Sequence, residues 1–242
     1  MIKWSDRGQK WITPRNTELF LKIVYIVSLI PIFIIGWYNF PSADDYTNGS
    51  VCHHAALSGS SFLEVIGVSI ERMVNEWFQW RGGFTSSFLS NLVPCIYSER
   101  QYILTIWIII GMLSVSTWYF LNTVFIKVFK ANKHSSHCVS LLVLFITVHC
   151  MVGRNEAFYW YSGAINYTFL HGMSLLFYGL LIAGAYDHGK KRVFDLVTAS
   201  FLGFCVGGGN QMTALNVAIV LVTVIGFITF QKKWKIYKSL LL

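Results

Sequence analysis

Six apolar runs divide the chain, and their lengths predict membrane-spanning helices over residues 18–38, 102–125, 136–152, 164–186, 193–206 and 213–230. A helix needs about 20 apolar residues to cross a hydrocarbon core of about 30 Å, and several of these runs approach or exceed that length. Unbroken apolar runs, without the alternation of barrel strands, predict an all-α polytopic bundle. The whole chain, 1–242, then forms one integral membrane domain. Residues 1–17 read as a cytoplasmic arm and the first span as an uncleaved signal-anchor.

Between the first two spans lies a long polar segment, residues 39–101, with six acidic residues and no lysine. Within it Ser61-Phe62-Leu63-Glu64 has the form of a capping box. Phe62, Ile66, Ile70, Met73, Val74 and Trp77 then recur at helical spacing, which predicts an amphipathic helix lying in the outer membrane interface. The fifth run is short and stops at Gly207-Gly208-Gly209, where the glycines predict a break in the span. The closing Ser239-Leu240-Leu241-Leu242 reads as the start of another apolar run, as in a truncated member of a longer family.

Composition agrees with a membrane protein: 55% of the residues are hydrophobic and 12% charged, against about 25% charged in soluble domains. The net charge of +8 first suggests nucleic acid. Its distribution excludes that partner, because all twelve lysines fall in segments placed on one side of the membrane, such as Lys127–Lys133 and Lys232–Lys238. Both termini are therefore expected in the cytoplasm, with membrane lipids as partners. Cys52 and Cys95 share the outer loop and are candidates for pairing, while the other cysteines read as small packing residues.

Candidate chemistry collects on the outer side. Pro41-Ser42-Ala43-Asp44-Asp45-Tyr46 puts two carboxylates just beyond the first span, where a solvated turn and a functional site are the two readings. All four external basic residues, Arg72, Arg81, Arg100 and Arg154, are arginine, whose planar fork suits carboxylate or phosphate. Trp77, Trp80, Tyr159, Trp160 and Tyr161 supply ring faces, and Asn166, Asn210 and Gln211 supply amides. Rings with amides and carboxylates suit a sugar, a carboxylate can serve as general base, and a guanidinium can stabilise a departing phosphate. No cofactor is called for. His53 and His54 read as solvated loop residues, with a divalent metal the alternative.

Ala43-Asp44-Asp45-Tyr46, Trp77-Phe78-Gln79-Trp80-Arg81-Gly82, Glu156-Ala157-Phe158-Tyr159-Trp160-Tyr161-Ser162-Gly163 and Gly208-Gly209-Asn210 resemble a bacterial membrane family akin to the O-antigen glucosyl transferases. That family belongs to the wider C-type polytopic glycosyltransferases. The resemblance implies transfer of a sugar from a polyprenyl-phosphate donor to a cell-envelope glycan, on the outer face of the bacterial plasma (inner) membrane and with inversion. It implies Asp44 or Asp45 as the base, and Trp80, Arg81, Arg154, Glu156, Trp160 and Asn210 as substrate-binding residues. Two departures from the family pattern are expected: six spans are fewer than usual, and the C-terminal half that often shapes the acceptor site is expected to be absent. Two non-enzymatic readings stand beside it: a lipid-linked glycan transporter or flippase subunit, and a membrane assembly partner.

Overall fold

The computed structural model describes residues 13–79 and 82–230, and every regular element among them is helical. Trp80 and Arg81 lie outside the described residues. The first helix, α1 (Pro14–Trp37), starts where Thr13 Oγ1 accepts from the Asn16 amide at 3.2 Å, with Pro14 at its first position.

Asp44 opens a second helix, α2 (Asp44–Leu57), where the sequence reading has only a turn or loop. Asn48, Gly49 and Ser50 gave no apolar periodicity to mark it. Helix α3 (Phe62–Gln79) opens on the capping box: Ser61 N and Oγ donate to Glu64 Oε2 at 2.6 and 2.9 Å. These donors, the backbone amide foremost, hold the Glu64 carboxyl below its usual range. The short α4 (Phe84–Asn91) completes a layer with α2 and α3.

A 3₁₀ turn, Glu99–Ile103, runs into α5 (Leu104–Thr123), which ends in a π turn, Val124–Val128. Then follow α6 (Lys133–His149), the π turn Asn155–Tyr159, α7 (Tyr161–Ala164), a π turn at Ile165–Phe169 and α8 (Leu170–Tyr186). Helices α9 (Gly189–Gly207) and α10 (Gln211–Phe230) follow.

Four of these helical stretches are long and apolar enough to cross a membrane: Pro14–Trp37, Glu99–Val128, Tyr161–Tyr186 and Gln211–Phe230. Helix α6 has 17 residues. Helix α9 begins at Gly189, four residues before the expected fifth span, and takes Lys190, Lys191, Arg192 and Asp195 into its first two turns.

Helix α5 is central, with Ile106, Ile109, Ile110 and Leu113 packed against Val148, Phe158 and Ile165. Helix α8 packs on both α5 and α9, and α6 packs on α1 and α5. The layer α2–α4 covers one end of this bundle. At the other end Lys127 and Lys191 flank Asp187, and Glu18 accepts from Lys22, His134 and His137. Cys52 and Cys95 are free thiols, so the candidate pairing is not formed.

Candidate functional site

The two adjacent aspartates separate at the start of α2. Asp45 is buried, with 1% of its surface exposed, whereas Asp44 is exposed. Asp45 Oδ1 accepts from Ser162 N at 2.8 Å and from Ser162 Oγ at 2.6 Å. Its Oδ2 accepts from the Tyr102 hydroxyl at 2.5 Å and from the Ser42 amide at 3.2 Å. Four donors from three separate segments thus satisfy a carboxylate that burial would otherwise make costly. Asp45 is a structural tie between the Ser42 turn, the 3₁₀ turn that leads into α5, and α7.

The Asp44 carboxylate has no hydrogen-bond partner among the described residues and lines a cavity of about 470 Å³. That volume falls within the roughly 300–1,000 Å³ of small-molecule sites. Before it, Ala43 holds φ 46° and ψ −119°, a backbone conformation that a residue with a Cβ rarely adopts. Strain of this kind persists only where surrounding contacts impose it, and the Asp45 bonds supply them.

Three other segments complete the cavity. From α7 and the turns around it come Trp160, Ser162, Asn166 and Tyr167; from the start of α4 come Gly83 and Ser86; from the α9–α10 junction come Gly209, Asn210 and Gln211. The glycines permit this convergence. Gly208 O accepts from the Thr85 amide at 2.7 Å, tying the α9 end to the first turn of α4. A Cβ on Gly208 would stand 2.2 Å from Phe84 Cζ, and one on Gly83 would stand 2.6 Å from Gly209 O. Phe84 itself packs on Phe204 with ring centroids 4.7 Å apart. A Cβ on Gly163 would lie 2.5 Å from Trp160 Cε3, so the absent side chain lets that ring rest on the α7 backbone.

Several polar groups in the wall are already committed to one another. Asn166 Nδ2 donates to Ser162 O at 2.7 Å and to Ser90 Oγ at 3.0 Å, while its Oδ1 accepts from Ser86 Oγ. Asn210 Nδ2 donates to Asn166 O, and its Oδ1 accepts from the Thr213 amide at 2.8 Å. Both amides act as struts. Behind α2, burial first, then the Asp45 and Glu99 charges, push the Cys95 thiol up to about 11, far from the range of a reactive thiolate.

The structure therefore brings together Asp44, Trp160 and Asn210 of the expected site residues, with Asp45 directly behind them. Arg154 and Glu156 are not in the cavity. The Arg154 guanidinium donates to the His149 carbonyl and caps α6, and Glu156 borders a separate, largely apolar groove with His171. Arg72 is held by Glu76, with Nε donating to Oε1 at 3.0 Å. The expected contributions of Trp80 and Arg81 fall outside the described residues, although Gly82 and Gly83 line the cavity.

The chain matches no protein-family model, no curated protein and no solved structure. Its site is accordingly read from geometry. Asn48, Ser86 and Tyr102 were missed by the sequence reading. Asn48 lies four residues after Asp44, on the same helical face, a signal that only the presence of α2 makes legible. Tyr102 lies at the predicted start of a span, where an interfacial tyrosine needs no further explanation.

Proposed function

We propose that this protein is a C-type membrane glycosyltransferase that moves a sugar from a polyprenyl-phosphate donor to a cell-envelope glycan or lipid acceptor. Asp44 is its general base. The observation that carries the reading is the division of labour within the acidic pair: one carboxylate saturated and buried, its neighbour unpaired in a cavity with a tryptophan and amides.

In this reading an acceptor hydroxyl gives its proton to Asp44 as its oxygen bonds to the sugar's anomeric carbon. The bond from that carbon to the phosphate oxygen breaks, and its electron pair leaves with the phosphate. A single displacement inverts the anomeric centre. The N-terminus of α10 opens on the cavity at Gln211 and Met212, and a helix N-terminus favours an anion such as the departing phosphate.

The topology follows from the same reading. Helices α6 and α9 join the four long apolar stretches to make six spans, with both termini cytoplasmic and the cavity on the outer face of the bacterial plasma membrane. Phe62, Leu63, Ile70, Val74, Trp77 and Phe78 are exposed on α3, while Val65 and Ser69 are buried. That amphipathic division suits a helix lying in the outer interface, and its apolar face then rests among lipid chains.

Purified protein in liposomes, given a synthetic prenyl-phosphate hexose and a mixture of envelope glycans, tests the reading. Transfer with inverted anomeric configuration is expected. Absence of transfer to every envelope glycan contradicts it.

A further inference from the structure

The hydrogen-bond inventory of the cavity separates groups that hold the wall from groups left to meet a ligand. Asn166 and Asn210 belong to the wall. The carboxylate of Asp44, one atom of Asn48 and the amide of Gln211 have no partner among the described residues. For Asn48 the network fixes which atom is free. Ser162 Oγ carries one proton, and it gives that proton to Asp45 Oδ1 at 2.6 Å. Toward Asn48 it can then only accept. It does so from Asn48 Nδ2 at 3.1 Å, so the amide cannot be turned over without losing that bond. The carbonyl oxygen of Asn48 is left as an unspent acceptor.

Asn48 and Asp44 stand one turn apart on α2, and residues four apart on a helix share a face with Cβ atoms about 5–6 Å apart. Two acceptors side by side need two donors side by side. A neighbouring pair of hydroxyls on a sugar ring supplies them.

We propose that Asn48 is the specificity-determining residue for an acceptor with vicinal hydroxyls: its Oδ1 accepts from the hydroxyl next to the one that Asp44 deprotonates. The inference rests on the proposed sugar transfer and adds the class of acceptor, a vicinal diol. Asp45 takes part as a positioning residue, since its bond to Ser162 sets the orientation of the Asn48 amide.

The test uses the full chain in liposomes with a prenyl-phosphate hexose as donor. Methyl hexopyranosides and each of their monodeoxy forms serve as acceptors. For the wild type, the hexopyranoside should be used at least about tenfold better than the form lacking the hydroxyl beside the transfer site, as expected where a half-buried polar group of the site is left unpaired. In Asn48→Ala and Asn48→Ser the two acceptors should be used within about twofold of each other. Because the ratio is internal to each variant, a reduced folded fraction does not alter it. A wild-type ratio near one, or a tenfold ratio kept in both variants, overturns the role of Asn48 while leaving sugar transfer intact. Absence of transfer to every acceptor, the envelope glycans included, overturns the sugar-transfer reading, and this inference with it.

Discussion

The Tyr102 hydroxyl donates to Asp45 Oδ2 at 2.5 Å while accepting from the Tyr161 amide at 2.9 Å. One phenol thus joins the acidic turn to α7, and both side chains are buried. Hydrogen bonds to a charged group contribute roughly 1.5–3 kcal/mol. Tyr102→Phe removes the bond to Asp45 and leaves the Tyr161 amide without its partner. Thermal unfolding in detergent should show a clear loss of stability for this variant, and an unchanged midpoint would deny the tie.

The α9–α10 junction depends on the absence of side chains. In Gly208→Ala the new methyl would meet the Phe84 ring, which is itself held against Phe204. Overpacking of this kind costs typically about 1–3 kcal/mol. A lowered unfolding midpoint is expected, with Gly207→Ala as the control because a Cβ there meets nothing within 4 Å. Equal effects of the two substitutions would contradict the packing account.

The end of the bundle opposite the cavity has a separate acid sensitivity. The hydrogen bond from Lys127, followed by that from Lys191, holds the Asp187 carboxyl down at about 2. A carboxyl depressed in the folded state stabilises the fold at pH above its ordinary value near 4, and that contribution is lost as pH falls toward 2. Unfolding midpoints measured from pH 6 to pH 2.5 should therefore fall less steeply for Asp187→Asn than for the wild type. Parallel curves would show that the pair contributes nothing.

Orientation is open to direct labelling. In a cysteine-free background, Ser58→Cys between α2 and α3 should react with an impermeant maleimide added outside intact cells. Lys190→Cys at the start of α9 should react only after the cells are opened. Labelling of Lys190→Cys from outside would invert the proposed topology.

Much of the framework was legible in sequence because apolar run length and capping chemistry act locally. Helices occupy all six runs, and the Ser61–Glu64 box opens α3 as its spacing predicts. Four of the six are long and apolar enough to cross a bilayer, whereas α9 brings Asp195 and three basic residues into its first turns. Helix α2 was invisible because Asp44, Asn48, Gly49 and Ser50 lack an apolar stripe; bonds across 57 and 117 residues of sequence secure its start. Those same long-range bonds separate Asp44 from Asp45. Arg154 and Glu156 follow the end of α6, where Arg154 donates to the His149 carbonyl and Glu156 borders a separate groove, whereas Trp160 lines the cavity.

The acidic pair offers the sharpest measurement: sugar transfer and thermal midpoint recorded together for Asp44→Asn and Asp45→Asn. The account predicts that Asp44→Asn unfolds at the wild-type temperature and loses at least about a hundredfold in transfer rate, the scale of general-base catalysis. It predicts that Asp45→Asn is destabilised, because each carboxylate oxygen accepts from two donors and the amide puts an NH2, which can only donate, in place of one of them. A folded Asp44→Asn variant with wild-type transfer would contradict it, as would an Asp45→Asn variant of unchanged stability.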